Sequence, residues 1–149
     1  MKKVYLLIII AIGALGLYLV GGKSATELVT NPTPTPKPID FVASFEITTL
    51  GTKRIFTDPK YHNLTDYAYL SSLDPSFVHI KKTGVTWQEF FDTLPMKLTK
   101  ECLTTGTGQV FCTDQTNKLK FTLNNLEDPD ALDKEITPGA KLNVAYEPK

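Results

Sequence analysis

The sequence predicts an α+β domain: short strands, one short packed helix and a disulfide-stapled hairpin, preceded by an N-terminal transmembrane helix. Three observations carry this. Polar and apolar residues alternate over residues 41–50, 118–123 and 141–146, as half-buried strands require. A capping sequence, Thr86-Trp-Gln-Glu89, opens a brief helical pattern that Pro95 closes. Cys102 and Cys112 flank a glycine-containing turn.

The chain has 149 residues. Residues 1–22 read as a signal anchor and 23–38 as a linker, which leaves 111 residues for one domain, 39–149. A domain of that size sustains a core; an enzyme of two domains with a cleft between them is excluded. The whole chain holds 16 basic and 16 acidic residues. Setting aside Lys2, Lys3, Lys23, Lys37 and Glu27 leaves 12 basic and 15 acidic residues, a formal charge of −3 on the domain. That excludes nucleic-acid binding driven by a basic surface and a polybasic lipid-binding patch.

Residues 4–20 are seventeen uncharged residues between Lys2-Lys3 and Gly21-Gly22-Lys23. As a helix they extend about 26 Å, near the lower limit for a span. The run exceeds the apolar core of a cleavable signal peptide, and Val20-Gly21-Gly22 is a poor cleavage site; a cleaved signal is the alternative. No Cys follows the run, so a lipoprotein anchor is excluded. The positive-inside rule keeps Lys2 and Lys3 cytoplasmic. The expected protein is a single-pass cell-membrane protein whose C-terminal domain is extracytoplasmic. Its only expected membrane contact is the N-terminal helix.

The next segment, Asn31-Pro-Thr-Pro-Thr-Pro-Lys-Pro38, has proline at every second position. It joins neither a helix nor a central strand. It reads as a polyproline II stalk of roughly 25 Å, with a PxxP-type ligand as the alternative.

In the domain, Phe41, Ala43, Phe45 and Ile47 share one face of a first strand. Gly51-Thr52 is read as the turn and residues 53–57 as the return arm. Residues 58–75 are the least regular stretch, long for a connection in a compact domain; within it Asn63-Leu64-Thr65 fits a glycosylation sequon. A short strand follows at residues 77–80. In the helix, Trp87, Phe90, Phe91 and Leu94 form one apolar face, Thr86 and Glu89 cap it reciprocally, and Val85 and Phe90 occupy staple positions. Cys102 and Cys112 lie across a turn at residues 106–108, within reach of a disulfide; free thiols or a metal or redox pair are the alternatives, without a C-x-x-C or a zinc spacing to support the latter. Asn124-Asn125 turns the chain after a strand carrying Leu119, Phe121 and Leu123. The acidic stretch 127–135 lacks the oxygen pattern of a calcium loop. Leu142, Val144 and Tyr146 face inward on a final strand.

The order hairpin, loop, helix, hairpin, strand, acidic crossover, strand resembles the β-grasp, or ubiquitin-like, fold. Residues 119–128 and 136–144 are similar to the ubiquitin-type ending, although Tyr146-Glu-Pro-Lys149 has no Gly-Gly tail. The resemblance implies a mixed sheet and no conjugation. A second resemblance covers about residues 40–147. The stretch from Val78-His-Ile-Lys through Thr86-Trp-Gln-Glu-Phe-Phe to Leu94 is similar to small, uncharacterised, membrane-anchored proteins of candidate phyla radiation bacteria. Those proteins carry several His before the helix, which implies a metal site in the family. Here only His62 and His79 stand at comparable places, and Lys81 occupies a position where a His or an acid is usual.

The sequence is compatible with three functions. The first is a tethered extracytoplasmic binding module, non-catalytic and without a cofactor, whose partner is an envelope protein or a wall polymer, with strand addition at a sheet edge as one route. The alternative is a metal- or small-ligand-binding protein using His62 and His79 with loop carboxylates such as Asp58, Asp66 or Asp74. His79 also has a bland reading, as an exposed side chain facing away from Val78 and Ile80. The third is an enzyme, which the absence of G-x-S-x-G, H-E-x-x-H and a free Cys–His pair disfavours. The oligomeric state is not legible.

Overall fold

A computed structural model describes residues 39–149. The signal anchor expected at residues 1–22 and the stalk expected at 23–38 lie outside the described residues.

Strand β1, Phe41–Thr49, is the axis of the main sheet. Its alternation buries Ala43, Phe45, Ile47 and Thr49 and leaves Ser44, Glu46 and Thr48 half-buried on the other face. On one side it pairs in parallel with the last strand, Lys141–Pro148, from Ser44 opposite Lys141 to Thr49 opposite Tyr146. A parallel pair requires a long crossover, and here the rest of the domain supplies it.

The other edge of β1 is shared by two strands. Its end turns through Leu50 and Gly51, with φ of 49° and 78°, into β2, Thr52–Lys53. Two successive positive φ values make the two-residue turn whose twist suits a hairpin. The turn therefore sits one residue earlier than the sequence suggests, and the return arm pairs for only two residues instead of continuing to Thr57. Two events shorten it. Phe56 leaves the hairpin to pack edge-on against Phe45, ring centroids 5.0 Å apart. The first half of β1 is taken by β4, Phe77–Ile80, in antiparallel register from Phe41–Ile80 to Ser44–Phe77. Strand β3, Ala68–Leu70, forms from the irregular stretch and pairs with β4.

Helix α1, Trp87–Thr93, presents Trp87, Phe90 and Phe91 to the buried face of the sheet. Phe90 and Phe91 meet Phe45 edge-to-face at 5.6 and 5.4 Å. The Thr86 hydroxyl accepts from the Glu89 amide at 3.1 Å, as the capping sequence requires. The Glu89 carboxylate does not complete the box; it faces Lys82, 3.9 Å away, and the Tyr67 hydroxyl.

Strands β5 (Lys97–Leu98), β6 (Cys102–Thr104) and β7 (Val110–Cys112) form a small antiparallel sheet. Cys102 lies directly opposite Cys112, Cα atoms 4.1 Å apart, and the two form a disulfide. Strand β8, Asn117–Leu123, returns to the main sheet and turns through Asn124 and Asn125, both at positive φ, into β9, Leu126–Glu127. One 3₁₀ turn, Ala131–Asp133, buries Ala131 and Leu132 before the last strand, β10, Lys141–Pro148. The main sheet runs β3-β4-β1-β10-β8-β9, with β2 on the free half of β1. This is an α+β domain: a mixed sheet, one helix on its buried face and a disulfide-stapled hairpin.

Candidate functional site

The departure of the chain from β1 after Lys53 opens a groove. Because Phe56 turns inward, its neighbour Ile55 turns out and is 71% exposed. Phe56 packs on Tyr61, ring centroids 5.1 Å apart, and Pro59–Tyr61 forms a single 3₁₀ turn capped by the Asp58 carboxylate, which accepts from the Lys60 amide at 3.0 Å. Facing this segment is the turn between β6 and β7. The space between them is about 180 Å³, floored by Ile47, Phe56, Tyr61, Leu103 and Met96. Residues 53–55 form one wall and residues 105–107 the other.

The two walls are joined by specific contacts. Lys60 Nζ donates to the Gly106 carbonyl at 3.3 Å. Gly106 lies against the Tyr61 hydroxyl so closely that no side chain fits between, and its missing Cβ would also stand 2.9 Å from the Pro95 carbonyl. Glycine is needed here for close approach rather than for an unusual φ.

Arg54 is the other link. Its Nε donates to Thr49 Oγ1 at 2.8 Å and its Nη1 to Gln109 Oε1 at 3.0 Å, while the guanidinium lies 5.0 Å from the ring centroid of Phe111. Thr49 is 2% exposed, a polar side chain on the core face of β1. Burying a hydroxyl demands a hydrogen-bond partner, and Arg54 supplies it.

No protein-family model matches this chain, and no curated protein or solved structure is significantly similar to it.

The residues singled out from sequence fall elsewhere. His62 is half-buried, and its Nε2 donates to the Phe56 carbonyl at 2.8 Å. A carbonyl only accepts, so Nε2 carries the proton. His79 faces away from the buried Val78 and Ile80. It is half-buried rather than exposed, stacked on Tyr69 with centroids 5.1 Å apart and rings within 10° of parallel, and its Nε2 is enclosed without a hydrogen-bond partner. Asp58 caps the 3₁₀ turn, and Asp66 and Asp74 are exposed. Among the described residues no three His, Cys, Asp or Glu side chains come together as a set able to hold a metal ion.

The groove residues Arg54, Ile55, Phe56, Met96 and Gly106 were not legible as a site. Arg54-Ile-Phe56 reads as a hairpin arm and Gly106 as part of a turn. Nothing local marks either segment, because the two walls meet only through contacts between distant residues, such as Arg54 with Gln109 and Lys60 with Gly106.

Elsewhere on the surface, one lysine is doubly paired. Lys100 bridges Asp130 and Asp133, at 2.5 and 2.7 Å; their hydrogen bonds raise its pKa, and Lys100 lowers that of Asp130. The Tyr67 phenol is pushed above its usual value by burial first and by the Glu89 carboxylate second.

Proposed function

We propose that this chain is a membrane-tethered, extracytoplasmic binding module, non-catalytic, that docks a partner of the cell envelope in the groove between residues 53–61 and the β6–β7 turn. The observation that carries the reading is the groove's construction: an apolar floor, a 71% exposed Ile55 at its lip, and two walls tied together by Arg54 and Gly106. Its volume, about 180 Å³, is below the roughly 300–1,000 Å³ of pockets that enclose small-molecule ligands. It suits one or two side chains of a docked polypeptide.

Support for the tether comes from the uncharged run at residues 4–20 and the proline-alternating segment after it. The disulfide Cys102–Cys112 fits an oxidising compartment. The fold is read as β-grasp: the first and last strands lie parallel at the centre of the sheet, antiparallel strands flank them, and the helix covers one face.

The test is site-specific photo-crosslinking from position 107 in the full-length chain, in membranes of its native host, beside the same probe at position 125, which is not part of the groove lining. The reading predicts an adduct from 107 that Ile55→Asp removes. An adduct from 125 alone, or one from 107 that Ile55→Asp leaves intact, contradicts it.

A further inference from the structure

The groove has a chemical preference, and it is set by Arg54. Lys53 and Arg54 line it, and Lys60, which faces Asp58 at 3.8 Å, bridges its walls. Lys53 is neutralised by Glu46, Nζ to Oε2 at 2.5 Å. Arg54 is not: its partners are a hydroxyl, a side-chain amide and an aromatic ring. Among the described residues no ion pair includes Arg54. Yet the residue is half-buried, in a domain whose formal charge is −3. A guanidinium carries five N–H donors in a fixed fork, and Thr49 and Gln109 occupy only two of them.

The residue is also pre-oriented. Nε is tied to a side chain buried in the core, and Phe111 supports the guanidinium plane. Holding a flexible side chain in place before binding lowers the ordering cost of the contact. A planar, held guanidinium with unspent donors recognises a carboxylate by a two-pronged hydrogen bond, which a lysine does not reproduce.

We propose that Arg54 anchors an acidic extended peptide: a partner segment whose carboxylate pairs with the Arg54 fork while an adjacent apolar side chain enters the groove beside Ile55. This rests on the groove being the docking site, and deepens that reading by naming the partner's chemistry. Charge complementarity decides the occupant, because an apolar segment alone leaves the Arg54 charge half-buried and unpaired.

The experiment is a displayed random-peptide selection on the full-length chain in lipid nanodiscs, followed by affinity measurement of the selected peptides on variants. The proposal predicts Asp or Glu next to an aliphatic or aromatic residue in the selected set. It predicts a loss of about tenfold or more with Arg54→Gln and an intermediate loss with Arg54→Lys. Arg54→Glu should lose binding and regain it when the peptide's acid is exchanged for Lys. That rescue, like the Arg54→Lys result, reads correctly even if Arg54→Gln fails to fold. Peptides without acidic enrichment, or peptides that bind Arg54→Gln as well as the parent while losing Ile55→Asp, overturn the carboxylate anchor and leave the groove standing. Peptides indifferent to both Arg54→Gln and Ile55→Asp, or a selection that returns none, overturn the anchor and the groove together.

Discussion

The guanidinium of Arg54 lies over the ring of Phe111, 5.0 Å from its centroid, and so fastens the segment after the first hairpin to the disulfide-stapled one. Phe111 is itself wedged edge-on against Tyr146 of the last strand, 5.4 Å away. The groove wall is thereby referred back to the centre of the sheet. Thr49→Val keeps the shape of the buried side chain and removes the acceptor for Arg54 Nε. It should lower stability by about 0.5–1.5 kcal/mol, measured by urea denaturation.

Gly106→Ala places a methyl group against the Tyr61 hydroxyl and the Pro95 carbonyl. Tyr61 is 8% exposed and packed on Phe56, so it has little room to yield. The expected cost is about 1–3 kcal/mol, the usual range for overpacking. Thermal unfolding of Gly106→Ala beside the parent checks it. A neutral result would mean that the two groove walls are not in contact.

Replacing Cys102 and Cys112 together by Ser opens a loop with a sequence separation of 10. Chain-entropy reasoning puts the loss at about 2.5–3 kcal/mol. Denaturation of the double variant should match that of the parent under reducing conditions. Equal stability with and without reductant would contradict the bridge.

Asp114 accepts from the backbone N–H groups of Asn117 and Thr116 and from the Thr116 hydroxyl, and these bonds hold its carboxyl below the ordinary aspartate range. A carboxyl whose folded pKa is depressed adds stability at all pH above its unfolded value. That contribution falls as pH drops below about 4 and is gone once pH passes the folded pKa. Carbon-detected NMR titration should place the Asp114 midpoint below the ordinary aspartate value of 3.8. Asp114→Asn should flatten the acid limb of the stability curve without altering its shape above pH about 5.

Thr86→Ala removes the hydroxyl that accepts from the Glu89 amide. The helix should lose about 1 kcal/mol. Because the Glu89 carboxylate faces Lys82 and Tyr67 instead of the cap, Glu89→Ala should not reproduce that loss. A urea melt of each variant decides it.

Much of the fold was legible where a single face decides the structure. The alternation of Ala43, Phe45 and Ile47, and of Leu142 and Val144, identified two central strands because one side of each is buried. Trp87, Phe90 and Phe91 identified the helix through spacing and cap alike. The Cys102–Cys112 pair followed from its turn. The first hairpin was misread because its arm is decided by tertiary contacts. Phe56 gains more by packing on Phe45 than by extending β2, and β4 competes for the same edge of β1. The groove was illegible for a related reason. Arg54 and Gln109 are 55 residues apart, and nothing local to either announces the other. The resemblance points to His62 and His79 as ligands, yet His62 is spent on a backbone carbonyl and His79 on a ring stack.

Groove docking is tested most directly by hydrogen–deuterium exchange on the full-length chain in nanodiscs, with and without a selected acidic peptide. Binding in the groove slows exchange in residues 53–61 and 103–109 and leaves residues 68–80 unchanged. Protection confined to residues 68–80, or spread evenly over the sheet with the groove segments unaffected, would contradict it.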